Sequence, residues 1–362
     1  MTFVCAGCQS EYPASASLWR CPRCGGHFEL SERAAFRADR IAPHDHSLWR
    51  YRAMLPLAEG ESPVTMGEGM TPLVPAAFAG HPVNFKLEYL SPTGSFKDRG
   101  TTVLVSKLRA WGVTRAADDS SGNAGASFAA YCARAAIASE VFTPAYASPA
   151  KLAQIEIFGA KLNMIEGTRE HATEAVESAT AAGLVYGSHA WSPFTLEGTK
   201  TVAYELWEQL GARAPDVFVS PIGQGSIFLG AYRGFKDLLA AGVISKLPRM
   251  IGVQSLACAP IVEALRQGLG RAASIVKQSS VAEGISLAHP IRDVEILRAI
   301  RDTGGDAVAV SDPETLAARL ELARMGLYVE PTSAVVGAAL KRLELAGVAV
   351  AILTGSGLKS PP

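Results

Sequence analysis

Beyond residue 63, the chain alternates between two hydrophobic patterns. Short apolar runs are typical of buried strands, and apolar residues three or four positions apart are typical of helices. The predicted strands are Val83–Lys86, Glu140–Thr143, Leu162–Ile165, Leu184–Gly187, Val217–Pro221, Met250–Gln254, Ala307–Val310 and Val348–Leu353. The predicted helices are Thr101–Trp111, Ala126–Ala136, Ala150–Phe158, Glu170–Ala182, Thr199–Leu210, Ile227–Ala240, Pro313–Met325 and Ser333–Leu345. This alternation predicts an α/β fold with parallel-rich sheets, in which ligands bind at the carboxyl ends of strands.

The composition limits the class of protein. Hydrophobic residues make up 48% of the 362 positions and charged residues 19%, which is typical of a well-buried globular protein of about two domains plus a small appendage. Lys+Arg and Asp+Glu both number 34, so neither nucleic acid nor an anionic membrane is an expected partner. No apolar run reaches transmembrane length. Met1–Cys5 lacks the pattern of a signal peptide, so we expect a cytoplasmic protein.

The first 30 residues contain two cysteine pairs, Cys5-x2-Cys8 and Cys21-x2-Cys24, separated by twelve residues. This spacing predicts a structural zinc site with four thiolate ligands. Two disulfides, or a degenerate site without metal, are the alternatives, and disulfides are rare in the cytosol. Residues 1–30 carry two arginines and two glutamates, which is not the basic footprint of a nucleic-acid module. Residues 31–63, interrupted by prolines, are interpreted as a connector.

Lys97 is the principal candidate for chemistry. It follows a turn rich in proline, glycine and serine, within the run Ser91–Gly100, and opens a helical stretch. Partial shielding disfavours the ammonium form and makes the amine a nucleophile that can form a Schiff base with an aldehyde cofactor. Most lysines are solvated surface charges, so this interpretation depends on the motifs that follow.

Four further motifs follow Lys97, and each lies at the end of a predicted strand or the start of a predicted helix. They are Ser120–Gly125, Pro221–Ser226, Glu330–Ser333 and Thr354–Lys359. The glycines of the first two motifs allow backbone N–H groups to approach an anion at a helix amino terminus, although an isolated Ser-Gly-Asn segment is usually an ordinary turn. Glu330–Ser333 is interpreted first as a helix start with Ser/Thr capping.

Taken together and in this order, from about Gly67 to Lys359, these motifs resemble the fold type II pyridoxal-phosphate (PLP) enzymes. Within that group the chain is most similar to the threonine synthase family, some members of which carry an amino-terminal cysteine ribbon. The resemblance implies a larger domain of residues 64–88 and 197–362, with a smaller α/β domain of residues 89–196 inserted into it. It also implies that PLP lies between the two domains, and many relatives are homodimers.

The resemblance assigns a role to individual residues. Lys97 would hold PLP as a Schiff base, Phe96 would pack beside the cofactor, and Asn123 would contact its 3-hydroxyl group. The remaining cofactor contacts would be made to the phosphate and the pyridine nitrogen by Gly223, Gln224, Gly225, Ser226 and Thr354. The amino-acid substrate would be bound by Ser120, Ser121, Gly122 and His189. A neutral threonine hydroxyl at the pyridine nitrogen suits elimination and replacement reactions better than transamination.

The sequence departs from the family at one substrate contact. Where threonine synthases carry Asn-Ser-x-Asn-Pro-Phe-Arg, this chain has His189 to Thr195, so the arginine that contacts the substrate phosphate is replaced by Thr195. This change removes a bidentate charged contact, which a protonated His189 would partly replace. The resemblance as a whole still implies conversion of O-phosphohomoserine and water to threonine and phosphate. The alternatives are β-replacement on O-phosphoserine, as in cysteate synthases, β-elimination, as in serine/threonine dehydratases, and an inactive PLP fold carrying a zinc ribbon.

Overall fold

The computed structural model describes residues 1–120, 122–145, 147, 149–167 and 169–360. The strands, in chain order, are β1 (Thr2–Cys5), β2 (Glu11–Pro13), β3 (Phe28–Leu30), β4 (Leu73–Phe78), β5 (His81–Lys86), β6 (Arg115–Asp118), β7 (Ala138–Pro144), β8 (Lys161–Ile165), β9 (Val185–Tyr186), β10 (Val217–Pro221), β11 (Arg249–Ser255), β12 (Asp306–Val310) and β13 (Ala349–Ile352).

The α-helices, in chain order, are α1 (Lys97–Ala110), α2 (Asn123–Arg134), α3 (Pro149–Ile157), α4 (Arg169–Ala181), α5 (Pro193–Thr199), α6 (Thr201–Gln209), α7 (Ser226–Ala240), α8 (Pro260–Arg266), α9 (Asp293–Asp302), α10 (Asp312–Arg324) and α11 (Pro331–Leu340). Short 3-10 helices occur at Ala38–Arg40, Leu48–Met54, Glu88–Leu90, Glu283–Ile285 and Gly357–Lys359. No helix among the described residues combines the length and the apolar character needed to cross a bilayer.

The chain divides into two compact units, and the first contains residues 1–69 and 97–198. It holds a four-stranded parallel sheet in the order β8-β7-β6-β9 and a small antiparallel sheet in the order β2-β1-β3. The segment interpreted as a connector also belongs to this unit. Its Trp49 is buried and donates its ring N–H to Glu68 at 2.8 Å, so this segment contributes to the core of the unit.

The second unit contains residues 70–96 and 199–362. Its six-stranded sheet has the order β12-β11-β10-β13-β5-β4, and only β4, at one edge, runs antiparallel to its neighbour. A buried ion pair joins Lys86 at the end of β5 to Glu205 in α6 at 2.8 Å. The Lys86 amine also donates to the Gln209 side chain and to the Thr71 carbonyl, so the buried charge is fully surrounded by acceptors.

The predicted α/β fold with parallel-rich sheets is confirmed, and each of the eight predicted strands overlaps an observed one. The predicted helix Thr199–Leu210 corresponds to α6, which spans Thr201–Gln209, and the predicted helix Ser333–Leu345 ends at Leu340. Eight of the observed strands and α-helices were not predicted: β1, β2, β3, β4, β6, α5, α8 and α9. β4 contains Pro75, which lacks a backbone donor and is accommodated because the strand lies at the sheet edge.

Candidate active site

Lys97 is the first residue of α1, as the sequence predicts. It is partly buried, whereas its neighbours Phe96, Asp98 and Arg99 are buried. The turn before it contains Gly94, whose φ of 80° glycine adopts without strain. A buried turn followed directly by a helix therefore keeps this lysine at the amino-terminal end of α1, partly shielded from water.

Two glycines fix the first turn of α1 against α5. A Cβ atom at Gly100 would lie 2.9 Å from the carbonyl oxygen of Thr195, and one at Gly198 would overlap the carbonyl oxygen of Arg99. Both separations are shorter than packed non-bonded atoms tolerate. The backbones of α1 and α5 therefore touch directly, and this contact determines where Lys97 lies in the first unit.

Asn123 is the first residue of α2, which packs against α1. The Ser127 hydroxyl donates to the buried Asp98 carboxylate at 2.6 Å. Asp98 follows Lys97 directly, and Ser127 lies one turn after Asn123, so the amino-terminal ends of α1 and α2 are side by side. The first unit thus brings together two of the predicted cofactor-binding residues.

The loop before α2 is tightly folded. Ser120 is buried, and its hydroxyl accepts a hydrogen bond from the Gly122 amide at 3.3 Å. A side chain at Gly125 would overlap the carbonyl oxygen of Ser120, so only glycine fits there. Ser121, predicted to bind substrate, lies outside the described residues.

His189 lies in the turn between β9 and α5. Its Nδ1 is 3.3 Å from Oδ1 of Asp118, the last residue of β6. Asp118 is fully buried, and its Oδ2 has no hydrogen-bond partner among the described residues. A carboxylate in this position favours a hydrogen on Nδ1 of the ring, which leaves Nε2 for a ligand. The sequence predicted His189 but not this partner.

Thr195, at the position of the family's arginine, directs its hydroxyl to backbone carbonyls of the turn before α5. Its hydroxyl is within hydrogen-bond distance of the His189 carbonyl at 3.0 Å and of the Ser192 carbonyl at 2.7 Å. A hydroxyl has one hydrogen to donate, and here it is shared between backbone acceptors. Thr195 therefore stabilises the start of α5 and does not replace the missing charged contact.

The loop Gly223–Ser226 joins β10 to the 15-residue helix α7. Gly223 and Gly225 are buried. Among the described residues, no acceptor is found for the amide N–H groups of Gly223, Gln224 and Gly225. Buried donors without acceptors at the start of a helix favour an anion. This loop of the second unit therefore fits the phosphate group that the sequence predicts there.

Packing holds the glycine loop in shape. Gly225 has a φ of 78°, and a Cβ atom there would lie 2.6 Å from the terminal methyl of the buried Ile296. The Gln224 side chain accepts a hydrogen bond from the Ile291 amide at 3.0 Å through Oε1. This bond anchors the loop to the segment before α9, so the Gln224 side chain has a structural partner in addition to its predicted role.

Thr354 follows β13 and is buried, with its hydroxyl 2.8 Å from that of Ser333 in α11. Ser333 also accepts from the Gly355 amide at 2.7 Å. The Thr354 carbonyl accepts from the Phe96 amide at 3.0 Å. The predicted helix start at residues 330–333 is confirmed, but the predicted capping is wrong because α11 has no side-chain cap. Ser333 instead orients the Thr354 hydroxyl, a role that the sequence did not indicate.

The four amino-terminal cysteines come together as free thiols, with all four sulfur atoms within 4.8 Å of one another. The Sγ–Sγ distance is 3.4 Å between Cys5 and Cys24 and 3.6 Å between Cys8 and Cys21. Four sulfurs bound tetrahedrally to zinc lie about 3.8 Å apart, so the cluster fits that ion. Hydrogen bonds with the Ser10 side chain and amide lower the pKa of Cys8 to about 6, which favours the ligand form of this thiol.

The predicted site residues fall into two sets, one in each unit. The first unit holds Lys97, Ser120, Gly122, Asn123 and His189. The second unit holds Phe96, Gly223, Gln224, Gly225, Ser226 and Thr354. Within the first unit, the ends of α1 and α2 meet. Within the second unit, Phe96 is hydrogen-bonded to Thr354. Both sets lie at helix starts or strand ends, where ligands of α/β proteins bind.

Comparison with known proteins identifies the class. Residues 64–355 match the family described as pyridoxal-phosphate dependent enzyme. The chain belongs to this family, and the protein is a PLP-dependent enzyme. Its fold is similar to that of maize serine racemase, with a TM-score of 0.67 and 21% identity, over 79% of this chain and 88% of the other.

The more specific similarity is to threonine synthases. The chain is 34% identical over 373 residues to the threonine synthase of Methanosarcina acetivorans, which covers 99% of this chain and 92% of the relative. It is also 34% identical over 378 residues to the threonine synthase of Methanocaldococcus jannaschii, with the same coverage. The similarity therefore extends over the amino-terminal cysteine segment as well as the catalytic part.

Proposed function

We propose that this enzyme is a threonine synthase, which converts O-phosphohomoserine and water to threonine and phosphate. The observation that carries the proposal is the 34% identity to threonine synthases over 99% of the chain. The site chemistry agrees with it, since a shielded lysine, a buried anion-binding loop and a neutral hydroxyl pair occur at the positions that the motifs predict.

Each group has a proposed task. Lys97 holds the cofactor covalently, and Asn123, at the end of the neighbouring helix, contacts the hydroxyl group of its ring. The amides of residues 223–225, for which no acceptor is found among the described residues, receive the phosphate together with Ser226. The Thr354 hydroxyl, oriented by Ser333, meets the pyridine nitrogen. PLP, when bound, supplies an electron sink for negative charge that develops on the substrate.

The overall reaction breaks the Cγ–O bond of O-phosphohomoserine and releases phosphate. Cβ loses a hydrogen and gains the hydroxyl group of water, while Cγ gains the hydrogen that makes it a methyl group. The amine of Lys97 is the group that moves protons between these carbons. The partly buried position of Lys97 helps, because the neutral amine needed to accept a proton is favoured when water is restricted.

The substrate phosphate needs a cationic or hydrogen-bonding partner. We propose that His189 supplies it with a hydrogen on both ring nitrogens, so that Nδ1–H donates to Asp118 and Nε2–H donates to a phosphate oxygen. The Ser120 hydroxyl and the backbone amides of the loop before α2 receive the substrate carboxylate. The Thr195 hydroxyl is taken up by backbone carbonyls, so it is not a substitute for the arginine that contacts the substrate phosphate in threonine synthases. Without an arginine at this position, a serine/threonine dehydratase, which needs no phosphate contact, is the alternative, together with β-replacement on O-phosphoserine.

A substrate panel tests the proposal. The purified holoenzyme is expected to release phosphate from O-phosphohomoserine and to form threonine, detected by mass spectrometry. Lys97→Ala is expected to lose both this turnover and the visible absorption band of the bound cofactor. Lys277→Ala, which changes an exposed lysine, is the matched control and should keep both.

Three results would contradict the proposal. Phosphate release from O-phosphoserine alone indicates β-replacement chemistry, and a keto acid formed from serine or threonine indicates a dehydratase. Full activity in Lys97→Ala would remove the basis of the lysine assignment altogether.

We also propose that the four amino-terminal cysteines bind one structural zinc ion per chain. Four thiolates complete a tetrahedral site and leave no position open for catalysis. Metal analysis of the purified protein should give one zinc per chain, and the double variant Cys5→Ser/Cys8→Ser should lose it. Full zinc occupancy in that variant would exclude the site. The homodimer expected from relatives would give twice the mass of one chain in light scattering.

A further inference from the structure

The amino-terminal module, residues 1–30, contacts the segment that carries His189. The indole of Trp19, two positions before Cys21, packs edge-on against two aromatic rings. Its centroid lies 5.0 Å from that of Tyr186, at 69°, and 5.3 Å from that of Trp191, at 84°. Edge-to-face packing at these distances is the favoured geometry of aromatic pairs.

These two rings flank His189 in the chain. Tyr186 ends β9, Trp191 precedes α5, and the turn between them has no helix or strand of its own. We define residues 186–195 as the His189 segment. Its backbone is held by the Gly187 amide, which donates to the Ala117 carbonyl, and by the Ser192 amide, which donates to the Ser188 carbonyl, so side-chain contacts contribute much of the remaining support. The rings against which Trp19 packs are therefore part of what fixes the imidazole.

A second contact reaches the other end of the same segment. Phe3, in β1, packs against Phe194 at 5.9 Å and against Trp111 at 6.5 Å. Phe3 and Phe194 are almost completely buried, at 2% and 1% exposure. Phe194 precedes Thr195, which hydrogen-bonds the His189 carbonyl. The module therefore touches the His189 segment before and after the imidazole.

A third contact is made to the ring of Trp19. The Arg20 guanidinium lies 4.3 Å from the centre of the Trp19 ring and pairs with Glu177 of α4 at 3.2 Å. Arg20 thus links the module to the helix that precedes β9. The indole therefore contacts a cation in addition to the two aromatic rings.

We propose that Trp19 is a positioning residue for substrate binding, and that the amino-terminal module braces the His189 segment. We expect Trp19 to act on substrate affinity and to leave cofactor binding close to wild type, because the two aromatic rings that it contacts belong to residues 186–195. The inference rests on the proposed function in one respect, the assignment of His189 to the substrate.

The test compares Trp19→Ala with Trp19→Phe, which keeps an aromatic edge, and with Arg23→Ala, which changes an exposed residue of the same module. Hydrogen exchange of the peptide spanning residues 187–195 is the readout that needs no substrate. Exchange should accelerate in Trp19→Ala, remain close to wild type in Trp19→Phe and be unchanged in Arg23→Ala.

The kinetic readout is the KM for O-phosphohomoserine. Loss of two edge-to-face pairs should raise KM in Trp19→Ala by about tenfold, with kcat and the visible cofactor band close to wild type. Trp19→Phe should restore most of the affinity. If Trp19→Ala does not fold, Trp19→Leu retains an apolar side chain without the aromatic edge and should give the same pattern.

The outcomes separate the two proposals. Unchanged exchange of residues 187–195 in a folded Trp19→Ala or Trp19→Leu protein would overturn the bracing role. So would a loss of kcat with unchanged KM. If exchange accelerates but the wild-type enzyme does not act on O-phosphohomoserine, the proposed function fails and the bracing role stands.

Discussion

Replacing Gly225 by alanine tests the proposed phosphate loop. Gly225 has a φ of 78° and precedes α7 directly. A Cβ atom there would lie 2.6 Å from the terminal methyl of Ile296, which is fully buried and can yield only into packed surroundings. Either the Ile296 side chain or the loop backbone must move in Gly225→Ala, and because the positive φ also disfavours alanine, we expect the unpaired amide groups to shift.

The other end of α7 supplies a matched control. Gly242, just beyond the helix, has a φ of 71°, and a Cβ atom there would meet no atom within 4 Å. A positive φ costs alanine roughly 1–2 kcal/mol, and both variants should lose this much stability. Gly225→Ala should lose cofactor affinity in addition. One hydrogen bond to a charged group is worth roughly 1.5–3 kcal/mol, which corresponds to about ten- to hundred-fold weaker PLP binding.

The assay is a titration of each apoprotein with PLP, followed by the visible absorption band, and a denaturant unfolding curve for each variant. Gly242→Ala should bind PLP like the wild type although it is less stable. Equal PLP affinities for Gly225→Ala and Gly242→Ala would refute the assignment of the phosphate to residues 223–226. A loss of affinity shared by both variants would instead indicate a general effect of destabilising α7.

Three other predictions concern stability and the cofactor. Glu205→Ala leaves the buried lysine of β5 without its carboxylate and should lower the free energy of unfolding by about 3–5 kcal/mol, measured in urea; an unchanged midpoint would contradict the buried pair. Ser333→Ala removes the partner of the Thr354 hydroxyl and should cost roughly 1–3 kcal/mol of stability and shift the cofactor absorption maximum, whereas an unshifted spectrum would argue against the Thr354 role. The hydrogen bond from Arg115 is the largest of the effects that hold the pKa of Glu140 below its usual range. The stability that the Glu140 carboxylate contributes is therefore present at neutral pH and is lost as pH falls through its folded-state pKa. Glu140→Gln should therefore reduce the dependence of unfolding free energy on pH below about 4.3, and an unaltered slope would exclude this contribution.

Local patterns in the sequence were sufficient for much of the fold. Buried strands such as Val217–Pro221 are short and apolar, and the glycine loop that follows β10 marks the start of α7. The position of Lys97 at the beginning of α1 also follows from local turn residues. In each case the determining residues are neighbours in the chain, so their physical chemistry is visible in one short window.

Other features depend on residues far apart in the sequence. The Asp118–His189 contact joins positions 71 residues apart, and the Ser333–Thr354 contact joins positions 21 residues apart. The sequence identified His189 and Thr354 through family motifs but gave no sign of their partners. An aspartate after a strand and a serine in the first turn of a helix have many ordinary roles, and only tertiary packing selects one of them.

The direct backbone contact at Gly100 and Gly198 has a consequence for how this enzyme tolerates change. The amine proposed to be reactive, that of Lys97, is positioned by two residues that contribute no side chain. In a saturation library, both positions should therefore be as intolerant as Lys97, the proposed catalytic residue, although neither would be found by searching for reactive residues.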